Sequence, residues 1–392
     1  MQTNVVLPDL HGIRVLAVLN GLELFGHERG NIEVYKVLRD MGAEVVVGVN
    51  ALPYNHVKSE LSALGFKTFA LPFGPQWSIQ WVRKKPTIAF TNIWKVAKCS
   101  WVFSRKILAF RPSHLHLGSP LAYSYLSVAL GLSTVPLVYR MGDCPPMDSP
   151  FNLRIWRMAM RRASRVVSIS EYVRSRALIA GLKDISVIYN LAPMNDGENT
   201  NQTHVRKTRG EVSILYVGAV AEHKGLVLLV NAFAQLALHY PELRLDIVGG
   251  SRYDTNFRTL LMQLIESSRL VERVKLHRHV DNPSSFYQAA ELHVAPSVWE
   301  EPLGNVVLEA KREGTPSVVF PSGGLAEMVR HKVDGYICRE KSVEALVEGL
   351  RWMLDDPDRL RNMGEAARED SEARFGSERF ACAWADVYRS VI

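Results

Sequence analysis

The stretch EPLGNVVLE at residues 301–309 predicts a turn that leads into an apolar helix, with a carboxylate at each end. Glu301 is expected before the helix and Glu309 two turns inside it, because eight residues correspond to just over two helical turns. The first free N–H groups, from about Gly304 and Asn305, are predicted to point outward at the positive end of the helix dipole, where a diphosphate binds well. A phosphate site between two carboxylates that accept hydrogen bonds from hydroxyl groups suits a nucleotide sugar.

Glutamates at this spacing are common in helices, so an ordinary helix with a surface glutamate is the competing interpretation. The flanking sequence favours a binding site. The run YQAAELHVAPS at 287–297 precedes the stretch. It is followed by the tripeptide Gly-Thr-Pro at 314–316, by GGLAE at 323–327 and by Asp-Gly at 334–335. In content, order and spacing, residues 274–335 resemble the nucleotide-binding half of the retaining glycosyltransferases of family 4. The resemblance implies a GT-B fold, an α/β architecture of two Rossmann-like domains with parallel sheets that face each other across a cleft.

Length and composition agree with this class. A chain of 392 residues suggests two or three domains. Its four cysteines are scattered without a C-x-x-C pair, which favours buried thiols in a reducing compartment over disulfides or a metal site. The first residues lack a basic region before an apolar core, and no apolar run approaches the roughly 18 residues that span a bilayer. We expect a cytoplasmic protein, either soluble or peripheral on the inner face of the cytoplasmic membrane.

Apolar β-rich runs alternate with helical patterns along the chain, which predicts parallel βαβ units. In the first half a helix is predicted at 31–41, and strands are predicted at 13–19, 44–49, 115–117, 137–139, 166–170 and 186–189. In the second half strands are predicted at 213–218, 244–248, 274–276, 292–294 and 317–320. The predicted organisation is a Rossmann-like acceptor-binding domain at 1–192, a polar linker at 193–211 and a Rossmann-like nucleotide-sugar-binding domain at 212–375. The resemblance implies that a helix at 376–392 packs back on the first domain.

A predicted phosphate site follows the first strand of the second half, in the sequence GAVAEHKG at 218–225. Gly218 ends that strand, and Lys224 lies on the loop at the strand's carboxyl end, where α/β sheets bind ligands. The ammonium group of Lys224 could neutralise a leaving diphosphate; a solvated loop lysine is the alternative. The family usually has an arginine directly after the glycine, and this chain has Ala219 there, so His223 or a residue of the first domain would have to substitute.

The first half carries a fainter match to the family. FGHER at 25–29 falls where the family has Gly-Gly-x-Glu-Arg, which implies that Gly26 and Arg29 contact the donor, although Phe25 replaces the first glycine. An exposed residue at the start of a helix is the alternative for Arg29.

Two polar residues at strand ends are candidates for the acceptor side. Asp143 lies near a cleft-facing position of the family and is expected to orient the sugar or the acceptor hydroxyl; a turn aspartate before two prolines is the alternative. His116 matches a family histidine at a strand end and is expected either to line the cleft or to be a buried structural histidine.

The predicted site residues form three groups. The catalytic candidates are Glu301, Lys224 and Asp143, and the acceptor-side candidates are His116 and Asp143. The donor-binding candidates are Gly26, Arg29, Gly218, Lys224, Arg278, Leu303, Gly304, Asn305 and Glu309, with Arg278 on the loop expected near the base. The resemblance implies that no metal or cofactor is needed beyond the nucleotide diphosphate sugar, which is the donor substrate.

Charge is distributed unevenly between the two halves. Residues 1–190 contain 23 Lys and Arg against 11 Asp and Glu, and the remainder contains 24 against 29. The segment 77–111 interleaves four tryptophans with basic residues, and Lys95, Lys98, Arg105 and Lys106 fall on one arc of a helix that Trp94 and Trp101 flank. Such a stripe suits an anionic membrane surface; a core helix with a solvated charged face is the alternative. Five arginines at 154, 157, 161, 162 and 165 form a second basic cluster. No nucleic-acid-binding signature accompanies these residues.

Together the sequence predicts a retaining glycosyltransferase that moves a sugar from a nucleotide diphosphate sugar to a glycan or lipid-linked acceptor, in bacterial cell-surface polysaccharide or glycolipid synthesis. A nucleotide-sugar epimerase of the same fold is one alternative. A catalytically inactive GT-B partner subunit and a polyanion-binding module are the others.

Overall fold

The computed structural model describes residues 7–74, 86–192, 210–250, 255–280 and 282–391. The chain forms two compact units, one made of Met1–Asn190 with Glu378–Ile392 and the other of Leu191–Ser377. Most of the predicted linker, residues 193–209, lies outside the described residues. Within the described ranges, none of the helices combines the length and hydropathy that a bilayer-spanning segment needs.

The first unit contains one sheet of seven parallel strands in the order β3-β2-β1-β4-β5-β6-β7. The strands are β1 Arg14–Leu19, β2 Glu44–Asn50, β3 Lys67–Leu71, β4 His114–Leu117, β5 Leu137–Met141, β6 Arg165–Ser168 and β7 Ile185–Val187. Six of them lie where the sequence predicts strands, and most of their residues are buried. The sequence does not signal β3, an edge strand in which only Leu71 is buried.

The helices of the first unit are α1 Gly26–Asp40, α2 His56–Ala63, α3 Pro86–Phe110, α4 Pro120–Leu132, α5 Pro150–Arg162 and α6 Glu171–Ile179. Helix α1 begins at Gly26, so the prediction that it starts at residue 31 is wrong. The sequence GHERG in its first turn has no apolar periodicity and two glycines, which hides the helix start. Gly30 is required there, because a side chain at this position would overlap the guanidinium group of Arg140.

The second unit contains a sheet of six parallel strands in the order β10-β9-β8-β11-β12-β13. These are β8 Val212–Val217, β9 Leu243–Val248, β10 Val274–His277, β11 Leu292–Ala295, β12 Ser317–Val319 and β13 Gly335–Ile337. Its helices are α7 Leu226–Ala237, α8 Thr255–Ser267, α9 Ser284–Ala289, α10 Asn305–Glu313, α11 Val343–Leu354 and α12 Pro357–Phe375. Strands β8 to β12 match the predicted strands, and the short β13 was not predicted.

The strand order reverses once in each sheet, between β1 and β4 in the first and between β8 and β11 in the second. At such a reversal the loops that follow the two strands diverge to opposite faces of the sheet and leave a crevice at its carboxyl edge. The topology of each unit therefore fixes where a ligand site is expected.

The last helix, α13 Ser377–Arg389, packs on the core of the first unit. The hydroxyl group of its Tyr388 lies 2.6 Å from Nδ1 of His116, and Nε2 of His116 lies 3.2 Å from Oδ1 of Asn31. Near the end of the helix, Arg389 donates a hydrogen bond to the backbone oxygen of Asp9 at 2.9 Å. These contacts join the C-terminal helix to β4, through His116 to α1, and to the segment before β1.

A buried ionic cluster joins α10 to α12 in the second unit. Nζ of Lys311 lies 2.9 Å from Oδ2 of Asp334 and also contacts Asp370, and all three side chains are almost fully buried. Arg330 and Arg374 reach the same two carboxylates from the surface, at 2.5 and 3.2 Å. The buried ammonium group is tolerated here because it pairs with two carboxylates, and each of these carboxylates also pairs with an arginine.

Candidate active site

An ion pair of the second unit lies at the carboxyl ends of β8 and β11, where its strand order reverses. Lys224 is in a short 3-10 turn after β8, and Glu301 is in the loop after β11. Nζ of Lys224 donates a hydrogen bond to Oε1 of Glu301 at 2.6 Å, and the two side chains keep 25% and 19% of their surface exposed. Two predicted catalytic residues are therefore adjacent and remain accessible to a ligand.

Close backbone packing fixes the position of this pair. Gly225 has φ of 74°, and a side chain on it would overlap the carbonyl oxygen of Pro296. The backbone N–H groups of Val298 and Trp299 donate to the carbonyl oxygen of His223 at 3.0 and 3.2 Å. The loops after β8 and β11 thus form one rigid edge rather than two independent segments.

Ser297 holds the carboxylate of Glu301 in place at this edge of the sheet. Its Oγ lies 2.7 Å from Oε1 of Glu301, the oxygen that also accepts from Lys224. Sequence reasoning did not single out Ser297, although it closes the quoted run at 287–297. The two hydrogen bonds leave Oε2 of Glu301 as the oxygen that can accept from a ligand hydroxyl.

Helix α10 begins directly beyond this pair, with Gly304 as its N-cap and no side chain capping it. A side chain at Gly304 would approach the Leu325 side chain to 2.7 Å, and one at Gly324 would overlap the carbonyl oxygen of Pro302. Glycine at both positions allows the 322–328 turn to pack against the helix start. An uncapped helix start is the local geometry that favours an anion.

Glu309 lies one turn inside α10, and the prediction of two turns is wrong. The helix begins at Asn305, because residues 301–304 form an extended turn and not a helical one. The hydroxyl group of Tyr287 donates to Oε2 of Glu309 at 3.0 Å. Tyr287 is fully buried, and burial raises its pKa, with Glu309 adding to the effect. Sequence reasoning missed Tyr287, which fixes the orientation of the predicted ribose-binding carboxylate.

The remaining predicted donor residues of the second unit line the same edge. Gly218 follows β8, and its carbonyl oxygen would overlap a side chain placed on Gly249, so the turns after β8 and β9 touch. Arg278 follows β10 with its side chain exposed and without a hydrogen-bond or ion-pair partner among the described residues. Leu303 is 5% exposed, so only its backbone is available to a donor. Asn305 is half-buried in the first turn of α10.

Because Ala219 stands where the family usually has an arginine, one positive charge is missing beside Lys224. Ala219 is exposed, and its carbonyl oxygen accepts a hydrogen bond from the hydroxyl group of Tyr216 at 2.7 Å. The exposed ring of His223 packs edge-on against Trp299. Within the second unit, His223 is the basic side chain that lies next to Lys224 in the turn.

In the first unit, polar residues gather at the carboxyl ends of β1, β4 and β5. Gly26 and Arg29 are exposed in the first turn of α1, and Nε of Arg29 donates to the carbonyl oxygen of Leu24 at 3.4 Å. His27, in the same turn, lies against Gly118 and Gly142, the residues that follow β4 and β5. Its surroundings lower the pKa of His27 to about 4, mainly through burial and secondly through the charge of Arg140.

Arg140 is the charged residue that the sequence analysis missed in this region. It is 1% exposed, Nη2 donates to Oδ1 of Asn190 at 2.5 Å, and Nη1 has no partner among the described residues. Burial lowers the pKa of Arg140 to about 10. The signal was present in the sequence, since Arg140 interrupts the otherwise apolar strand β5.

Asp143 follows β5 at the surface, as the sequence predicts for a turn aspartate or a site residue. Protein atoms around its carboxyl group raise the pKa of Asp143, and the charge of Arg140 opposes that effect. Burial likewise raises the pKa of the neighbouring Glu28. The two carboxyl groups and Arg140 form a compact charged cluster next to His27.

His116 is not on the acceptor side, and that prediction is wrong; the alternative of a buried structural histidine is correct. The residue is 0% exposed. Its Nδ1 contacts Tyr388 and its Nε2 contacts Asn31. Burial lowers the pKa of His116 to about 3, with smaller contributions from Arg140 and His27. Its position in β4 turns it toward α1 and α13 rather than toward a ligand.

The outer face of α3 carries the part of the predicted basic segment that the structure describes. Trp94, Lys98, Trp101, Arg105 and Leu108 are exposed at alternating spacings of four and three, so they form one stripe. The cations lie over the rings, Lys98 at 4.8 Å from the Trp94 centroid and Arg105 at 5.1 Å from the Trp101 centroid. The predicted basic arc also included Lys95 and Lys106. These two residues are half-buried and lie outside the exposed stripe. Residues 77–85 lie outside the described residues.

Among the residues that the structure describes, no group of three or more His, Cys, Asp or Glu side chains is arranged to hold a metal ion. The acidic sequence at 355–358 is accounted for locally, since Asp356 caps the start of α12.

In the comparison with known proteins, each of the two units matches a glycosyltransferase family. Residues 198–370 match the family described as Glycosyl transferases group 1, and residues 26–190 match the Glycosyl transferase 4-like domain. An uncharacterized glycosyltransferase of Haemophilus influenzae is 31% identical over 177 residues, which are 45% of this chain and 48% of that protein. N-acetyl-alpha-D-glucosaminyl L-malate synthase of Bacillus anthracis is 24% identical over 60% of this chain and 62% of its own length. The chain therefore matches about half to three fifths of these relatives.

The fold is shared with solved glycosyltransferases. HepE of Anabaena, crystallised in complex with UDP and glucose, superposes with a TM-score of 0.79 over 96% of this chain and 100% of its own, at 22% sequence identity. This similarity, together with the two parallel sheets, confirms the predicted GT-B fold class.

Proposed function

Because the chain belongs to the group 1 glycosyltransferases, we propose that it transfers a sugar from a nucleoside diphosphate sugar to a glycan or lipid-linked acceptor, with retention of the anomeric configuration. The observation that carries the proposal is the pair formed by Lys224 and Glu301 beside the uncapped start of α10. A cation, an anion-attracting helix end and a carboxylate are the groups that a leaving diphosphate and a sugar require.

Each residue of this edge has a proposed role in holding the donor. Lys224 and the first backbone N–H groups of α10, at Gly304 and Asn305, would bind the diphosphate. Glu301 would accept hydrogen bonds from hydroxyl groups of the transferred sugar, and Glu309, oriented by Tyr287, from the ribose. The backbone of Leu303 and of the turns at Gly218 and Arg278 would complete the donor pocket.

The proposed reaction needs no metal ion and no separate protein base. The bond between the sugar C1 and the diphosphate oxygen breaks, and the acceptor oxygen bonds to C1 on the same face. The leaving diphosphate takes the proton from the acceptor hydroxyl. Lys224 and the helix dipole stabilise the charge that develops on the diphosphate. In the first unit, Asp143 is assigned to the acceptor, and Gly26 and Arg29 to the donor.

A uridine nucleotide is the first donor to test, because HepE of Anabaena, with the same fold, has been crystallised with UDP and with UDP-glucose. The stripe on α3 supports a membrane-associated acceptor, since tryptophan and basic side chains favour the interface of an anionic bilayer. We assign the protein on this basis to the cytoplasmic face of a bacterial membrane and to the synthesis of a cell-surface polysaccharide or glycolipid.

Binding of UDP, GDP and ADP, measured by calorimetry, tests the proposal. We expect micromolar affinity for one nucleotide, weakened by Lys224→Ala and by Glu309→Ala, and release of that nucleotide when acceptor glycans are supplied with its sugar conjugate. Absence of binding for all three nucleotides would overturn the proposal.

One observation favours a second function, that of an inactive partner subunit. Ala219 removes a positive charge from the position where related enzymes carry arginine. Nucleotide binding without sugar transfer or donor hydrolysis would support that alternative. Conversion of the donor sugar in the absence of any acceptor would instead indicate an epimerase.

A further inference from the structure

A basic groove lies in the first unit at the end of α5 and the turn between α6 and β7. It encloses a cavity of about 520 Å³. Arg157 and Arg161 line it from α5, Arg165 from the start of β6, and Lys183 from the turn before β7. We refer to these four residues and the cavity between them as the basic groove.

Positive charge in the basic groove is not neutralised within the protein. Arg161 and Lys183 are exposed and have neither a hydrogen bond nor an ion pair with any described residue. Arg157 and Arg165 are anchored through Nε, to the carbonyl oxygen of Ala180 at 2.8 Å and to Oγ of Ser390 at 3.1 Å. Anchoring through Nε leaves the outer guanidinium nitrogens of both arginines available as donors.

The counter-charge in the lining is small. Asp184 is the acidic residue of the groove, and it makes no ion pair with another described residue. Four cations with one carboxylate give the cavity a net positive charge, and repulsion among those cations is relieved when an anion binds. Arg162, the remaining basic residue at the end of α5, is used internally, because it donates to three carbonyl oxygens at the end of α4 and in the segment that follows it.

The groove is separate from the edge where the donor is expected. Arg165 begins β6, and Lys183 lies just before β7, so the groove is at the amino edge of the first sheet. Asp143 and Gly142 follow β5 at the opposite, carboxyl edge. Since nucleotides bind to open α/β sheets beyond the carboxyl ends of the strands, the basic groove is not the nucleotide crevice of this unit.

The lining restricts the kind of anion that fits. It contains no aromatic ring among its described residues, so a nucleobase has no surface on which to stack. Of its apolar members, Met160, Val166 and Ala180 are buried and only Ala163 and Leu182 keep part of their surface exposed, so an acyl chain finds only a short apolar wall. The three arginines of the groove suit a phosphate group, because a guanidinium group donates paired N–H hydrogen bonds to phosphate oxygens.

We propose that the basic groove is a second binding site, specific for a phosphate-bearing ligand and independent of the donor site. The phosphate comes either from a soluble phosphate compound or from the headgroup of an anionic lipid. The ligand contacts Arg161 and Lys183 directly, while Arg157 and Arg165 supply fixed guanidinium groups on either side.

Calorimetric titration of the full chain with inorganic pyrophosphate, in the presence of excess UDP, tests the proposal. The test variant is Arg161→Glu with Lys183→Glu, and the matched control is Arg154→Glu with Arg176→Glu. The control changes the net charge by the same amount, at one position on α5 and one on α6, but its residues do not line the cavity. We expect the wild type and the control to bind, and the test variant to bind at least about tenfold more weakly.

Sedimentation with phosphatidylcholine vesicles that contain phosphatidic acid, using the same three proteins, identifies the source of the phosphate. Loss of vesicle binding in the test variant, with no pyrophosphate heat in the wild type, assigns the groove to a lipid headgroup. A pyrophosphate heat that only the test variant loses assigns it to a soluble phosphate.

Equal weakening of the test and control variants would show a general electrostatic attraction and would overturn the proposal. Absence of a pyrophosphate heat, together with vesicle binding that is the same in the wild type and the test variant, would overturn it as well. The outcome is distinguishable from failure of the proposed function, which is measured by the binding of UDP, GDP and ADP in the absence of pyrophosphate and vesicles.

Discussion

The ammonium group of Lys224 lies 2.6 Å from Oε1 of Glu301, although the two residues are 77 positions apart in the chain. They follow β8 and β11, the two strands between which the sheet order reverses. In the proposed complex a donor diphosphate would share Lys224 with a carboxylate that Ser297 holds in place. Because the pair is already assembled, little reorganisation is needed when charge develops on the leaving group.

Replacing Lys224 by alanine is expected to lower the rate of sugar transfer about 100- to 1000-fold, since it removes the side-chain cation nearest to Glu301. The measurement is the release of nucleotide from the donor in the presence of acceptor. Lys341→Ala is the matched control, because Lys341 forms a pair of the same 2.6 Å length with the adjacent Glu300 at the surface. A similar loss in both variants would contradict the assigned role of Lys224.

Tyr287→Phe is expected to weaken nucleotide binding about five- to tenfold, because it removes the hydrogen bond that orients Glu309. Calorimetry with the preferred nucleotide measures the effect. Tyr336→Phe provides the control, since its hydroxyl group contacts the surface residue Glu348 at 3.4 Å. An unchanged dissociation constant for Tyr287→Phe would show that this hydroxyl group is not needed to place Glu309 for nucleotide binding.

Lys311→Met is expected to lower the free energy of unfolding by about 3 kcal/mol, because it removes the buried cation that Asp334 and Asp370 share. Urea denaturation measures the change. Arg361→Ala, which breaks an exposed pair with Asp358, is expected to change it by less than about 1 kcal/mol. A loss for Lys311→Met no larger than that of the control would mean that Arg330 and Arg374 suffice to neutralise the cluster.

The stability of the second unit is expected to fall in acid because of His293, which is 0% exposed. Burial lowers its pKa from 6.5 to about 3 in the folded state, so the unfolded chain binds the proton more readily between those values. The stabilisation from neutral His293 is complete above about pH 6.5 and is lost as the pH falls toward 3.

The difference in unfolding free energy between about pH 7.5 and about pH 5 should therefore be about 2 kcal/mol smaller in His293→Asn than in the wild type. Urea denaturation at the two pH values is the measurement. Asparagine can keep the hydrogen bond to Oγ of Ser317, which lies 2.9 Å from Nδ1 of the histidine. Identical pH dependence in both proteins would assign the acid sensitivity to other groups.

Substituting both Trp94 and Trp101 by alanine is expected to reduce binding to anionic vesicles about tenfold, because the two exposed rings of the α3 stripe would lie at the bilayer interface. Vesicle sedimentation at low and high salt separates this loss from that of the cations Lys98 and Arg105. Tyr54→Ala is the control, since Tyr54 is 88% exposed in the same unit but outside the stripe. Equal binding by the double variant and the control would remove the evidence for a membrane-facing helix.

The sequence alone predicted most of the fold. Buried parallel strands are near-continuous apolar runs, so β1, β2, β8 and β9 could be placed within a residue or two. The edge strand β3 and the three-residue β13 carry too few buried apolar residues to be recognised this way. The start of α1 was hidden because Gly26 and Gly30 interrupt any helical pattern.

The candidate site was predictable where its residues are contiguous. Residues 301–309 contain both carboxylates and the helix start, and local rules of turn and helix formation predict this arrangement. The depth of Glu309 was not predictable, because the number of extended residues before Asn305 depends on how the 322–328 turn packs against Gly304.

The sequence by itself determined the fold class, the family and the candidate donor edge, since apolar periodicity and contiguous motifs act over short distances along the chain. Only the tertiary structure decided that Glu301 pairs with Lys224, that Tyr287 holds Glu309, and that His116 is buried beneath Tyr388, 272 positions away. The physical reason is that a polar side chain acquires its partner and its pKa from the groups that packing brings within hydrogen-bond distance. Sequence separation does not specify those groups.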